Sequence, residues 1–181
     1  MPLRVSAGAA ERWLVWVSAF GVLSLLVWLA VSPIPYAASV QRPGWDALFR
    51  DATYKQISGY TLAALMSTSA LFSLRKRARR RLPGSFGAWR LAHASVGVAT
   101  LIGTVAHTGF RLGHNLDAAL MLTFLACTLL GVFAGLAVGL ERFVPLAQAQ
   151  RVRTLAGRLH LYLVWPLPLL VVFHALKAYY F

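Results

Sequence analysis

Four histidines lie inside apolar stretches of the sequence, where an imidazole ring needs a partner. They are His93, His107, His160 and His174, whereas the fifth histidine, His114, lies in a short polar segment. Burying a polar ring in an apolar environment costs free energy unless the ring is hydrogen-bonded or bound to a ligand. The four buried rings are therefore candidates for holding a ligand.

These histidines form two pairs with the same spacing. His93 and His107 are fourteen positions apart, and so are His160 and His174. Fourteen residues of α-helix return to within about 40° of the starting direction, so both rings of a pair lie on one face. The two rings stand about 21 Å apart along the helix axis, which is most of the hydrocarbon thickness of a bilayer.

Five apolar stretches are long enough to cross a bilayer as helices, which takes about 20 residues each. They are residues 13–32, 56–74, 91–112, 117–140 and 158–179. Only 13% of the residues are charged, about half the share in soluble domains. We predict an all-α integral membrane protein, one domain over 1–181. The first helix (13–32), too long for a signal peptide, precedes a four-helix bundle (56–179).

Basic residues cluster in two of the segments between these spans. The run RKRARRR occupies 75–81, and the segment 141–158 contains Arg142, Arg151, Arg153 and Arg158. The positive-inside rule predicts that both segments are cytoplasmic, so the N-terminus is inside and the C-terminus outside. A bacterial inner membrane is the expected location. Since topology explains the net charge of +13, we do not expect nucleic-acid binding.

The longest loop on the outer side separates the first two spans. Trp45, Leu48 and Phe49 share one face of a short helix predicted for about 45–54, as in a helix that lies on a surface. The pattern favours a cap over the bundle, and a docking site for a partner is the alternative.

Because of the direction of the spans, the histidines of the two pairs lie at matching depths in the membrane. The third and fifth spans both start on the inner side, so we expect His93 to face His160 near the inner surface and His107 to face His174 near the outer surface. Two facing imidazoles in an apolar bundle are an axial ligand set for haem. Because Cys127 is the only cysteine, covalent haem attachment is excluded. We therefore predict haem b, two per chain.

Small and basic residues near the histidines are candidate cofactor contacts. Glycines in the third and fourth spans would let a porphyrin approach the backbone, with ordinary helix packing as the alternative. Arginines next to the histidines could pair with haem propionates, with snorkelling to the interface as the alternative. The candidates are Gly97, Gly103, Gly131, Gly135, Arg90, Arg111 and Arg158, with Lys177 a weaker one.

A metal-ion site, a proton relay and hydrogen bonding between helices account for the histidines less well than haem does. A transition-metal site needs more than two ligands, and we expect no carboxylate or thiolate at either depth. A proton relay usually employs Asp or Glu inside the spans, and we expect none there. Hydrogen bonding between helices explains single histidines, but not two pairs matched in spacing and depth.

The paired histidines resemble the ligand pattern of cytochrome b, the di-haem subunit of quinol-oxidising respiratory and photosynthetic complexes. The segments HTGFRLG and LHLYLVWPLPLLVVFHALK are similar to parts of that family's two ligand helices. The resemblance covers about 56–179 and extends to ferric-reductase-like membrane domains. It implies that His93, His107, His160 and His174 are axial haem ligands.

The sequence also departs from cytochrome b. That family is longer and has a Pro-Glu-Trp-Tyr signature in its quinol pocket, which is absent here, and no flavin or nicotinamide domain follows the last span. We therefore expect an electron-transfer subunit of an oxidoreductase complex rather than a self-contained enzyme, with no catalytic residues. Expected partners are other subunits, a peripheral or soluble electron donor or acceptor, and a quinone. A quinone-reactive membrane anchor and a non-redox transporter or assembly scaffold are the alternatives.

Overall fold

Every regular element of the chain is an α-helix within the residues that the computed structural model describes, which are 8–31, 51–77, 85–109, 111–140 and 143–180. The all-α prediction is confirmed. The helices are α1 (Ala9–Val31), α2 (Ala52–Arg77), α3 (Phe86–Thr108), α4 (Leu116–Leu140), α5 (Leu146–Val164) and α6 (Pro166–Tyr180). Trp45, Leu48 and Phe49 of the predicted surface helix, together with residues 78–81 of the basic run, lie outside these ranges.

Four of the described segments are long and apolar enough to cross a membrane. They are Ala9–Val27, Phe86–Thr108, Leu116–Val138 and Leu146–Tyr180, the last of which joins α5 and α6. Most side chains in these segments are not buried inside the protein, as expected of helices that are surrounded by lipid. The structure thus supports an integral membrane protein with four candidate spans rather than the five predicted.

Helix α2 is not among these four candidate spans, and it carries many hydroxyl side chains. Hydroxyls within α2 donate to the backbone carbonyl one turn earlier, at 2.7–2.8 Å, and this satisfies them without water. The donors are Ser58, Thr61, Ser67 and Thr68. A crossing by α2 therefore stays a prediction, although its polar groups have partners within the helix.

Local sequence sets both ends of α3. The hydroxyl of Ser85 accepts a hydrogen bond from the backbone N–H of Ala88 at 3.1 Å, which caps the first turn. At the other end Gly109 adopts the left-handed conformation, with φ of 60°, and its N–H donates to the Val105 carbonyl at 2.9 Å. The helix therefore ends at Thr108, before the predicted end at 112, and His107 lies in its last turn.

The loop predicted at 141–158 is mostly helix, so that prediction was wrong. Helix α5 begins at Leu146, directly after Pro145. The segment is rich in Ala, Leu, Gln and Arg, which are strong helix formers, and Arg151, Arg153 and Arg158 lie on a helix rather than in a loop. The backbone keeps helical angles at Trp165, and Pro166, which has no N–H to donate, marks the change from α5 to α6.

Helix α1 packs against both α3 and α4, and the apolar core lies among these three helices. Its buried members are Leu25, Leu101, Met121 and Leu125. Helix α2 packs on α3, while α5 and α6 pack on α4. Across the described ranges, α3 makes almost no direct backbone contact with α5 or α6. The helices that carry the histidines are therefore held apart by their neighbours.

Candidate functional site: two facing histidine pairs

The structure brings the histidines together in the pairs that their spacing predicted. The ring centroids of His93 on α3 and His160 on α5 are 6.1 Å apart, with the ring planes at 90°. Those of His107 on α3 and His174 on α6 are 6.3 Å apart, with the planes at 76°. All four side chains are half-buried. Each pair bridges the gap between α3 and the segment formed by α5 and α6.

Helix α4 fixes the ring of His160. The Nδ1–H of His160 donates to the backbone carbonyl of Cys127 at 2.8 Å, and the Cys127 Sγ lies 3.4 Å from the same nitrogen. One turn along α4, Gly131 lies beside the ring, and a Cβ there would be 3.1 Å from the His160 Cε1. The ring of His160 therefore lies directly against the α4 backbone.

Helix α2 fixes the ring of His93 through one residue. The Nδ1 of His93 lies 3.0 Å from the hydroxyl oxygen of Ser69 and 3.2 Å from the Ser69 carbonyl oxygen. Both oxygens can accept a hydrogen bond from the Nδ1–H. The ring is thus oriented by α2 rather than by its own helix.

The first turns of α2 also hold the last turn of α3. The hydroxyl of Ser58 donates to the Tyr54 carbonyl at 2.7 Å, so its oxygen is available to accept from the Nδ1–H of His107, also at 2.7 Å. The Lys55 Nζ donates to the backbone carbonyl of His107. Burial, followed by the positive charge of Arg111, lowers the pKa of Lys55 from its usual value.

A carboxylate fixes the ring of His174. Its Nδ1–H donates to the Oδ1 of Asp117 at 2.8 Å, and the Oδ2 of Asp117 accepts from the Lys177 Nζ at 2.8 Å. The expectation that no carboxylate lies at this depth was wrong, because α4 begins at Leu116 and places Asp117 in its first turn, next to α6. Asp117 contacts the Nδ1 atom of His174. The Sγ atom of Cys127 likewise contacts the Nδ1 atom of His160.

All four rings therefore have Nδ1 directed at an acceptor on a neighbouring helix. A neutral imidazole that carries its proton on Nδ1 has its lone pair on Nε2. The hydrogen bonds thus select Nε2 as the nitrogen that could bind a ligand. Metal-binding histidines commonly show this arrangement, in which the second ring nitrogen donates to a carbonyl or a carboxylate.

The separation within each pair fits one metal ion between two imidazoles. Two metal–nitrogen bonds of about 2 Å in line, plus the inner half of each ring, place the ring centroids about 6 Å apart. The observed values are 6.1 and 6.3 Å. Among the described residues, no group of three or more His, Cys, Asp or Glu side chains could hold a bare ion. A group that brings its own equatorial ligands, as haem does, fits better.

The two candidate glycines of α3 have different surroundings. A Cβ at Gly97 would meet no atom of another helix within 4 Å among the described residues, so this glycine borders open space. A Cβ at Gly103 would be 2.9 Å from the Cδ2 of Leu62, so close packing of α2 on α3 accounts for that glycine. Gly135 of α4 is similarly close to Ser18 of α1. Gly97 on α3 and Gly131 on α4 are the glycines whose surroundings bear on a cofactor.

The candidate basic residues are spread around the pairs. The Arg90 guanidinium lies 4.6 Å from the centre of the Phe86 ring. Arg111 is exposed in the segment between α3 and α4, and Arg158 is exposed on α5. Lys177 is bound to Asp117. Propionate pairing by the three arginines stays a prediction.

Sequence reasoning missed the acceptors that orient the rings. Two of them had a readable signal: Ser58 and Ser69 are eleven positions apart, which returns a helix to within about 20° of the starting direction. They therefore share a face of α2, as His93 and His107 share a face of α3. The Cys127 acceptor is a backbone carbonyl, for which the sequence carries no signal.

No protein-family model, curated protein or solved structure matches the chain. The case for a function therefore depends on the geometry of the two histidine pairs.

Proposed function

We propose that the chain is a b-type di-haem membrane cytochrome that transfers electrons across the bilayer as a subunit of an oxidoreductase complex. One haem would lie between His93 and His160, and the other between His107 and His174. The observation that carries the proposal is the pair of facing imidazoles, 6.1 and 6.3 Å apart, with every Nδ1 engaged by a neighbouring helix.

Bound haem supplies reversible one-electron chemistry at its iron. The residues of the chain bind and orient it. The four histidines would hold the haem iron through their Nε2 atoms, and the hydrogen bonds at Nδ1 hold the ring planes and would set the basicity of the imidazoles. Helix α3 carries one ligand of each pair about 21 Å apart, so the two sites lie towards opposite ends of the helix.

A fifth crossing by α2 follows from the same contacts. Ser69 of α2 reaches His93, and Ser58 of α2 reaches His107. Helix α2 therefore runs beside α3 over the full distance between the two sites. If α3 crosses the bilayer, α2 occupies the same depth, and the internal hydrogen bonds of its hydroxyls make that location acceptable.

For orientation, we place the His93/His160 end at the cytoplasmic surface of a bacterial inner membrane. Arg151, Arg153 and Arg158 of α5 lie at that end, where α2 ends in Arg75, Lys76 and Arg77, in accord with the positive-inside rule. A relay needs a donor at one end and an acceptor at the other. The proposed partners are therefore other subunits and a peripheral or soluble redox protein, with a membrane quinone as a candidate for either role.

The test is a reduced-minus-oxidised optical spectrum with a haem-to-protein ratio. We expect a low-spin b-type signal with about two haems per chain in the wild type and about one in His107→Ala. The matched control is His114→Ala, which removes the exposed histidine outside the pairs and should retain both haems. Absence of haem from wild-type protein made under haem-replete conditions would overturn the proposal and leave the histidines as hydrogen-bonding residues between helices.

A further inference from the structure

The four Nδ1 atoms differ in the charge of their acceptors. His93 and His107 face the hydroxyl oxygens of Ser69 and Ser58, and His160 faces a backbone carbonyl. These acceptors are neutral. The acceptor of His174 is the carboxylate of Asp117, at 2.8 Å. The His107/His174 pair therefore contains a histidine with an anionic partner.

An anionic acceptor changes what an imidazole does as a ligand. A hydrogen bond to a charged group is roughly twice as strong as one between neutral groups. It draws the Nδ1 proton towards the carboxylate and makes the opposite nitrogen more basic. A more basic ligand stabilises the more highly charged, oxidised form of a metal, so the reduction potential falls.

Lys177 opposes this effect through the same carboxylate. It lies one turn after His174 on α6, and its Nζ binds Oδ2 of Asp117 while His174 binds Oδ1. The ammonium group therefore withdraws electron density from the oxygen pair that His174 contacts. Asp117 therefore raises the basicity of the His174 ring and Lys177 lowers it, and both act through the same two hydrogen bonds of the carboxylate.

We propose that Asp117 is a positioning residue that orients His174 and lowers the reduction potential of the haem held by His107 and His174. This inference rests on the proposed function. The lower potential biases electron transfer from the His107/His174 site towards the His93/His160 site. The transfer is a one-electron exchange between two haem-iron couples, with one oxidised as the other is reduced, so it needs no further reactant.

The test is an equilibrium redox titration of the haem spectrum of the full chain. His107→Ala first identifies which of the two midpoint potentials belongs to the His107/His174 site. Asp117→Asn keeps the size and an acceptor oxygen but removes the charge, so it should raise that midpoint. Lys177→Gln leaves the contact between Asp117 and His174 intact and should lower the same midpoint. The midpoint of the His93/His160 site should move less in both variants.

Shifts of opposite sign separate this role from a structural one, because loosening the site would move both variants in the same direction. Equal or absent shifts with both haems bound would overturn the inference and leave the proposed function standing. If Asp117→Asn loses one haem, Lys177→Gln decides alone, since it retains the carboxylate. Wild-type protein without haem would instead overturn the proposed function and this inference with it.

Discussion

The ring of His160 lies against the backbone of Gly131. A Cβ at this glycine would be 3.1 Å from Cε1 and 3.2 Å from Nδ1 of the ring. These distances are shorter than ordinary van der Waals contact, so a side chain at position 131 would push the ring away from α4. The ring's hydrogen bond to the Cys127 carbonyl would be lost as well.

Gly131→Val should therefore lower the haem content from about two to about one per chain, because the displaced ring no longer aligns Nε2 with its partner. The matched control is Gly157→Val on α5, where a Cβ would meet no neighbouring atom of the described residues within 4 Å. The measurement is the haem-to-protein ratio. Combining Gly131→Val with His160→Ala should cause no further loss, and full haem content in Gly131→Val would contradict the assigned role.

Removing the Ser58 hydroxyl should destabilise the chain more than removing the Ser69 hydroxyl. Ser58→Ala takes away the oxygen that faces Nδ1 of His107, whereas Ser69→Ala leaves the Ser69 carbonyl 3.2 Å from Nδ1 of His93. A buried donor that loses its acceptor costs about 1–3 kcal/mol. Thermal unfolding in detergent measures the difference. Ser67→Ala is the control, because that hydroxyl bonds the Ala63 carbonyl within α2.

The histidine pairs were predictable because their spacing is a property of a single helix. The fourteen-residue interval fixes one face of α3 and one face of the segment that contains His160 and His174, whatever the neighbouring helices do. Which rings face each other then followed from both segments running in the same direction. These two steps needed neither the rotation of the helices nor the length of the connecting segments.

The residues that orient the rings were not predictable in the same way. Whether Ser58 and Ser69 face α3 depends on how α2 is rotated about its own axis, which packing determines. Asp117 was missed because it lies at the very edge of the fourth predicted span, and only the packing of the first turn of α4 against α6 brings it to His174. The early start of α5 at Leu146 was missed because its arginines were interpreted as a loop signal.

Replacing Gly109 by Ala should destabilise the end of α3. Gly109 has a φ of 60°, and a side chain in that conformation costs about 1–2 kcal/mol. The matched control, Gly157→Ala in the middle of α5, should instead stabilise the chain by up to about 1 kcal/mol, because alanine favours helix. Unfolding midpoints followed by circular dichroism should move in opposite directions for the two variants, and a shared direction would contradict the cap assignment.

The proposed orientation can be checked with single cysteines. Cys127 is buried, so the wild-type chain should resist a membrane-impermeant maleimide and can serve as the background. In intact spheroplasts, which expose the outer surface, His114→Cys should be labelled and Arg151→Cys should not, until the membrane is permeabilised. The positive-inside rule is the physical basis for this expectation. The reverse pattern of labelling would invert the orientation without changing the histidine pairs.

Gly97 offers a test that distinguishes a cofactor site from ordinary packing. It lies one turn after His93 on α3, and residues four apart share a helix face. In the part of the chain that the structure describes, a Cβ there would meet no atom of another helix within 4 Å. A haem between His93 and His160 would extend over this part of α3, so the open space beside Gly97 would belong to the cofactor.

Gly97→Leu should therefore reduce haem at the His93/His160 site while leaving the haem-free chain at least as stable, because leucine favours helix more than glycine does. The readouts are the haem-to-protein ratio and the unfolding midpoint of haem-free protein. Gly157→Leu applies the same change to an exposed position on α5 and should leave the haem ratio near two. If Gly97→Leu also keeps both haems, the open space beside Gly97 does not belong to a cofactor, and the role assigned to this glycine is contradicted.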